Sequence, residues 1–311
     1  MKVVIIGGTG HIGSYLVRML AEQGHDLIAV SSGRTQSHVR TDSNRVRFIT
    51  MRYTEMTSSG EFAAMLREER AGAVVDILQG DTQGVYDACK STGVGQLVLC
   101  GSVWMFGRAK VVPTPETTQT ECQFEGYRRR YAQMQEALAR SRTDGFAVTA
   151  IMPPNICGPG KVPLDGAGGR SVEVHKAHKR GKRVVLPYPG TNLIGPCDAE
   201  DVARGFACAI ADPGASEGEM FNVGSAYALT ATQFIRTYSA IYRSPIPIEY
   251  VPAETFISDV CPDVGMHFHF VEHMCPDISK ISSRLGYRPS YTPEESMDRA
   301  VKWMHDQGLL S

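Results

Sequence analysis

Short apolar runs recur through the first half of the chain, spaced so that one amphipathic helix fits between most neighbouring pairs. Val3–Ile6 opens the series, and Leu27–Val30, Val46–Ile49, Ala73–Leu78, Gln96–Cys100 and Ala147–Ile151 continue it. Runs of this length, rich in Val, Ile and Leu, have the pattern of strands buried on both faces. From His11 the pattern changes period: Ile12, Leu16, Met19 and Leu20 fall on one helical face, and Gly24 stops the helix. Glu61–Arg70 and Thr82–Ser91 are helical by the same criterion. Strands alternating with helices predict a parallel sheet covered on both faces.

The second half is less regular, and Gly and Pro crowd residues 153 to 196. Ala199–Ala211 still predicts a helix with Val202, Phe206 and Ile210 on one stripe, and Met220–Val223 predicts a strand. Thr292-Pro293-Glu294-Glu295 is a capping box with proline at the first helical position, opening a helix that turns Met297, Ala300, Val301 and Met304 inward.

Composition narrows the class. A chain of 311 residues can bury one large core or two smaller ones, and 42% hydrophobic with 21% charged residues is ordinary for a soluble globular protein. A net charge of −1 provides no global field to draw nucleic acid or an anionic membrane. No apolar run approaches spanning length, and the N-terminal one is too short for a signal peptide. Eight cysteines without a CxxC pair read as reduced thiols, so a cytoplasmic location is expected.

Candidate chemistry starts with Gly7, Gly10 and Gly13, directly after the first strand. A strand, a glycine turn and a helix make a phosphate cradle. The glycines let backbone approach a pyrophosphate, and the helix N-terminus presents free N–H groups and a partial positive charge to it.

Gly7-Gly8-Thr9-Gly10-His11-Ile12-Gly13 resembles the GGTGxIG opening of the extended short-chain dehydrogenase/reductases, the NAD(P)-dependent sugar epimerase/dehydratase group. Ser102-Val103-Trp104-Met105-Phe106-Gly107 is similar to that family's S-x-x-V-Y-G segment. Pro153-Pro154-Asn155-Ile156-Cys157-Gly158-Pro159 is similar to R-P-x-N-x-Y-G-P. Asp198–Ala203, Phe221–Gly224 and Leu285–Pro289 resemble its H-V-x-D-V-A, F-N-V-G and L-G-Y-x-P segments.

The resemblance implies an α/β fold with a Rossmann-type doubly wound parallel sheet and a smaller C-terminal α/β substrate domain. Residues 1–160, rejoined by 195–224, would hold the dinucleotide; 161–194 and 225–311 would bind substrate. It implies an oxidoreductase or epimerase/dehydratase acting on a hydroxyl of a sugar-like or other small polar substrate, and a homodimer is among the assemblies expected. The cofactor-binding set is Gly7, Gly10, His11, Ile12, Gly13, Ser31, Ser32, Arg34, Leu78, Gln79, Pro153, Asn155 and Ile156. At the end of the second strand, NAD-preferring members carry an acid where this chain has Ser31. Ser32 and Arg34 follow it, and both serines and the guanidinium could hold a 2′-phosphate, so NADP is expected over NAD. The competing reading is an ordinary exposed turn.

The family's proton relay resembles Ser/Tyr/Lys. Ser102 is present, and Tyr127 stands at the separation the family pattern implies, but Tyr131 occupies the lysine position within Tyr127-Arg128-Arg129-Arg130-Tyr131. Three readings stay open. Arg130 or Arg128 supplies the charge that a phenol needs; the chemistry has changed; or the relay is dead and the chain binds nucleotide as a redox sensor or RNA-associated factor. The stripe Tyr127, Tyr131, Met134 and Leu138 would also serve as plain core. Trp104, Asn155, His267 and His269 are candidate substrate contacts. Read as a strand, the segment Met266–Cys275 would put His267, His269, Val271 and His273 on one face. It matches no standard zinc spacing, and no metal is expected. The basic stretch His175–Arg183 reads as a phosphate-contacting patch or a solvated helix end.

Overall fold

Seven strands form one parallel sheet: β1 (Lys2–Ile6), β2 (Asp26–Ser31), β3 (Val46–Thr50), β4 (Ala73–Asp76), β5 (Gln96–Cys100), β6 (Ala147–Met152) and β7 (Glu219–Asn222). Their order is β7-β6-β5-β4-β1-β2-β3, and every neighbouring pair is parallel. The computed structural model covers residues 1–311, with side chains described for all but 53 and 54. Each apolar run of the first half is a strand of this sheet, and the run near 220 adds the seventh.

Strand side chains alternate between two cores. Val4, Ile6, Val74, Leu97 and Leu99 face one way, towards Phe62, Tyr86, Met134 and Leu138 of α2 (Glu61–Glu69), α3 (Thr82–Thr92) and α4 (Glu125–Asp144). Val3, Ile5, Ala73, Val75 and Val98 face the other way, towards α1 (His11–Glu22) and α5 (Ala199–Ala211). On that side Leu16, Leu20, Val202 and Phe206 are fully buried, each contributing about 1.5–3 kcal/mol over exposure.

The order of strand addition reverses at β1, which has β2 on one side and β4 on the other. Register keeps the C-terminal ends level: Ile6 pairs with Val30 and Asp76, Asp76 with Leu99, and Cys100 with Ile151. In an open parallel sheet the ligand crevice lies outside these ends, at the reversal.

The remaining core is built from later residues. Phe234, Tyr238, Phe256, Phe270, Met297 and Met304 pack together around the parallel pair Val184–Pro187 and Ile248–Val251. Helix Ala231–Tyr242 was not among the expected elements, although Thr230 caps it by accepting from Gln233 N at 3.1 Å. The strand expected over Met266–Cys275 is corrected: Val264–Val271 is an α-helix, with Asp263 accepting from Met266 N at 3.0 Å as its N-cap. An alternation of Met, Phe and Phe with His fits either period over so short a stretch, and the cap decides it.

Eight free thiols are present, six of them buried. Among the described residues no helix is long and apolar enough to cross a membrane, and no cluster of three or more His, Cys, Asp or Glu is placed to hold a metal.

Candidate active site

The three glycines do three different things. Gly7 sits at φ +87°, a conformation few other residues adopt, and its N–H donates to Val30 O at 2.8 Å. Gly13 has no room: a Cβ there would lie 2.1 Å from Gly7 O, so it sets how closely α1 approaches β1. Gly10 faces outward, and a Cβ there would meet only Gly7 O, at 3.2 Å. Gly10 is the N-cap residue of α1, no side chain caps that end, and the first turn holds no acid. An uncapped, positive helix end under an open glycine is a fit for a pyrophosphate.

Around the cradle, Leu78 is an apolar side chain left 48% exposed against Gly7, and Ile12 is buried in the α1 core. Gln79 takes a left-handed φ of 56°, pinned by Asp76 Oδ1 accepting from Leu78 N and Gln79 N. Its Nε2 donates to Gly101 O at 3.1 Å, while its Oε1 is buried without a partner at the sheet edge, a polar atom available to a ligand. His11 Nε2 lies 3.3 Å from Gly158 O, and burial, chiefly, pushes its imidazole down to about 3. His38 arrives from the β2–β3 loop, its ring 5.0 Å from Tyr15 and 5.9 Å from His11, and its Nε2 is buried and unpartnered. No local pattern marks His38; only the loop's path brings it there. Ser31 Oγ accepts from Gly33 N at 3.3 Å, and Ser32 and Arg34 are exposed beside it at the end of β2.

Ser102 follows β5 and caps the 3-10 turn Val103–Phe106 by accepting from Trp104 N. Tyr127 stands on the first turn of α4, half-buried, with Arg130 one helical turn on and Ser102 close enough to bear on its phenol. Burial pushes the Tyr127 phenol above its ordinary value; the Arg130 charge and the nearby Ser102 hydroxyl pull the other way. Tyr131 is not at the site. It is buried in the sheet core, edge-on to Phe106 at 5.9 Å, and its hydroxyl accepts from Thr118 at 3.2 Å. Arg128 is tied to Cys122 O and Glu121, leaving Arg130 as the guanidinium nearest the phenol.

Beyond Tyr127 opens a cavity of about 350 Å³, lined by Trp104, Phe124, Tyr127, Arg130 and His269 among others. Trp104 packs on Phe268 at 4.3 Å and meets His269 edge-on at 5.1 Å. The two candidate histidines part company because they lie on a helix. His269 lines the cavity, neutral because burial lowers it to about 4. His267 turns away, with Nδ1 2.9 Å from Cys261 O.

Pro153 and Asn155 are buried at the end of β6, where Val103 N donates to Pro153 O at 3.1 Å. Asn155 Oδ1 and Ile156 O both accept from Arg170 Nη2 at 2.9 Å, so Asn155 is oriented by a guanidinium that no local motif announces. In the basic stretch, His175 and His178 are buried, with His175 Nε2 3.1 Å from Pro163 O and His178 Nε2 accepting from Gly166 N at 3.0 Å. Two of that stretch's seven basic residues are therefore core.

Comparison with known proteins agrees with this fold. The UDP-glucose 4-epimerase of Corynebacterium glutamicum is 23% identical over 280 residues, covering 81% of this chain and 84% of that one. The structure of a UDP-glucose 4-epimerase of Thermotoga maritima with UDP-glucose superposes with a TM-score of 0.78 at 20% identity, covering 99% of both chains. A dTDP-glucose 4,6-dehydratase of Bacillus anthracis in complex with NAD gives a TM-score of 0.78 at 17% identity, again over 99% of both. At such identities the structures establish a shared fold. The NAD dependent epimerase/dehydratase family matches residues 3–224, most of the sequence, and the chain belongs to that family.

Proposed function

We propose that this chain binds an NAD(P) dinucleotide at the glycine cradle and oxidises or epimerises a hydroxyl-bearing carbon of a sugar-like substrate, with Tyr127 carrying the proton. The observation that carries the reading is the meeting of Tyr127, Ser102 and Arg130 on the same sheet edge as the open Gly10 cradle. Gly7, Gly10 and the N-terminus of α1 would hold the pyrophosphate, with Leu78 and Gln79 beside it. When bound, the nicotinamide supplies a hydride acceptor and, oxidised, a positive charge. Ser102 orients the substrate oxygen, and Tyr127 takes or returns its proton. Arg130 favours the phenolate by Coulomb attraction without itself exchanging a proton. In this reading 1–160 with 195–224 form the cofactor-binding part, and 161–194 with 225–311 the substrate-binding part. Incubating the dinucleotide-loaded protein with a panel of nucleotide sugars tests it by chromatography: an epimer or keto product is expected, and conversion without dinucleotide would contradict it.

Within the dinucleotides, NADP is the preferred form in this proposal. No carboxylate occupies the end of β2, and Arg34 is exposed beside two serines. Arg34→Ala should weaken NADP by about ten- to a hundredfold while leaving NAD nearly unchanged, since a charge-assisted hydrogen bond is worth roughly 1.5–3 kcal/mol. Titration calorimetry with both dinucleotides checks it, and equal affinities in the unmutated protein would count against it.

A further inference from the structure

We propose that the cavity beside Tyr127 selects a substrate ring that carries a carboxylate, read by the Arg130 guanidinium. The proposal rests on the function above and names its substrate class as a sugar acid.

Arg130 is an uncompensated cation. Two nearby guanidinia are matched: Arg128 lies 3.5 Å from Glu121 and Arg108 lies 3.2 Å from Glu272. Among the described residues no carboxylate pairs with Arg130, and no protein acceptor takes its hydrogen bonds, although it is half-buried on the cavity wall. A partly desolvated charge without a counter-charge is costly, and a ligand that supplies one is favoured. The planar fork of a guanidinium matches the two oxygens of a carboxylate. Arg130 is the one charged group on the cavity's described lining, because His269 is neutral there.

The rest of the lining describes the remainder of the ligand. Trp104 and Phe124 stand nearly perpendicular, with ring centroids 6.1 Å apart, and offer aromatic surface to the C–H face of a sugar ring. His269 also lines this cavity, and its Nδ1 is buried without a protein partner. A volume of about 350 Å³ takes one such ring with its substituents.

UDP-glucuronate and UDP-glucose differ at one carbon, a carboxylate against a hydroxymethyl, and are the matched probes. Calorimetry on the dinucleotide-loaded protein should show UDP-glucuronate binding at least about tenfold tighter. Arg130→Gln should erase that difference, and Arg130→Lys should restore part of it, since the charge returns without the fork. Unchanged dinucleotide affinity of the variants shows that they are folded. Equal affinity for the two probes in the unmutated protein, or a preference that survives Arg130→Gln, overturns the proposal. An Arg130 that acts only through Tyr127 would lower turnover while leaving the two affinities alike. Failure of both probes to bind a protein that does bind dinucleotide overturns the sugar-nucleotide reading, and this proposal with it.

Discussion

Gly10→Val abolishes dinucleotide binding and leaves the fold standing. The position has an extended ψ and a negative φ that any residue can adopt, and its Cβ would meet only Gly7 O at 3.2 Å. A valine there projects into the space above the uncapped end of α1, where a pyrophosphate would approach. The expected loss is at least about a hundredfold in affinity, roughly 2.7 kcal/mol. Circular dichroism and thermal melting should match the unmutated protein. Gly13→Ala is the contrasting variant. Its Cβ would fall 2.1 Å from a backbone oxygen, so α1 must move off β1 and stability falls with binding. Tight dinucleotide binding by Gly10→Val would remove the cradle from the account.

Tyr127→Phe lowers kcat by about a hundred- to ten-thousandfold, the usual effect of removing a proton-transfer group, with dinucleotide affinity unchanged. The direction of the pH dependence follows from the environment of the phenol. Burial raises its pKa and Arg130 is the leading influence that lowers it. If the phenolate is the active form, activity rises with pH through that pKa. Arg130→Ala removes the lowering charge, so the rising limb moves to higher pH and activity near neutrality drops. A pH–rate profile that does not move in Arg130→Ala would separate Arg130 from the tyrosine.

The sheet was legible because its signals are local. A run such as Val3–Ile6, a glycine turn and the Ile12–Leu16–Leu20 face each declare themselves within a dozen residues. Side chains alternating into two cores required no further information. The helix over Val264–Val271 was misread as a strand because apolar and histidine residues alternate there. The deciding signal, Asp263 three residues before the amide it caps, was present but short. Site residues divide the same way. Gly10, Ser102 and Tyr127 sit in motifs, whereas His38 reaches the cradle by the path of a long loop and Arg170 orients Asn155 from fifteen residues away. Tyr131 carried the largest ambiguity. Sequence placed it at the relay, but its ring fills the space beside Phe106, in a core that the helical stripe Tyr131, Met134 and Leu138 already described.

The central claim is that hydride leaves a substrate carbon while Tyr127 takes the hydroxyl proton. Rapid mixing of the oxidised-dinucleotide-loaded protein with a nucleotide sugar, followed by reduced-nicotinamide absorbance, measures this directly. The account predicts a rise in absorbance in the unmutated protein, a rise slowed at least about a hundredfold in Tyr127→Phe, and none in Gly10→Val. A rise of equal rate in Tyr127→Phe, or no rise with any nucleotide sugar in a protein that binds the dinucleotide, would contradict it.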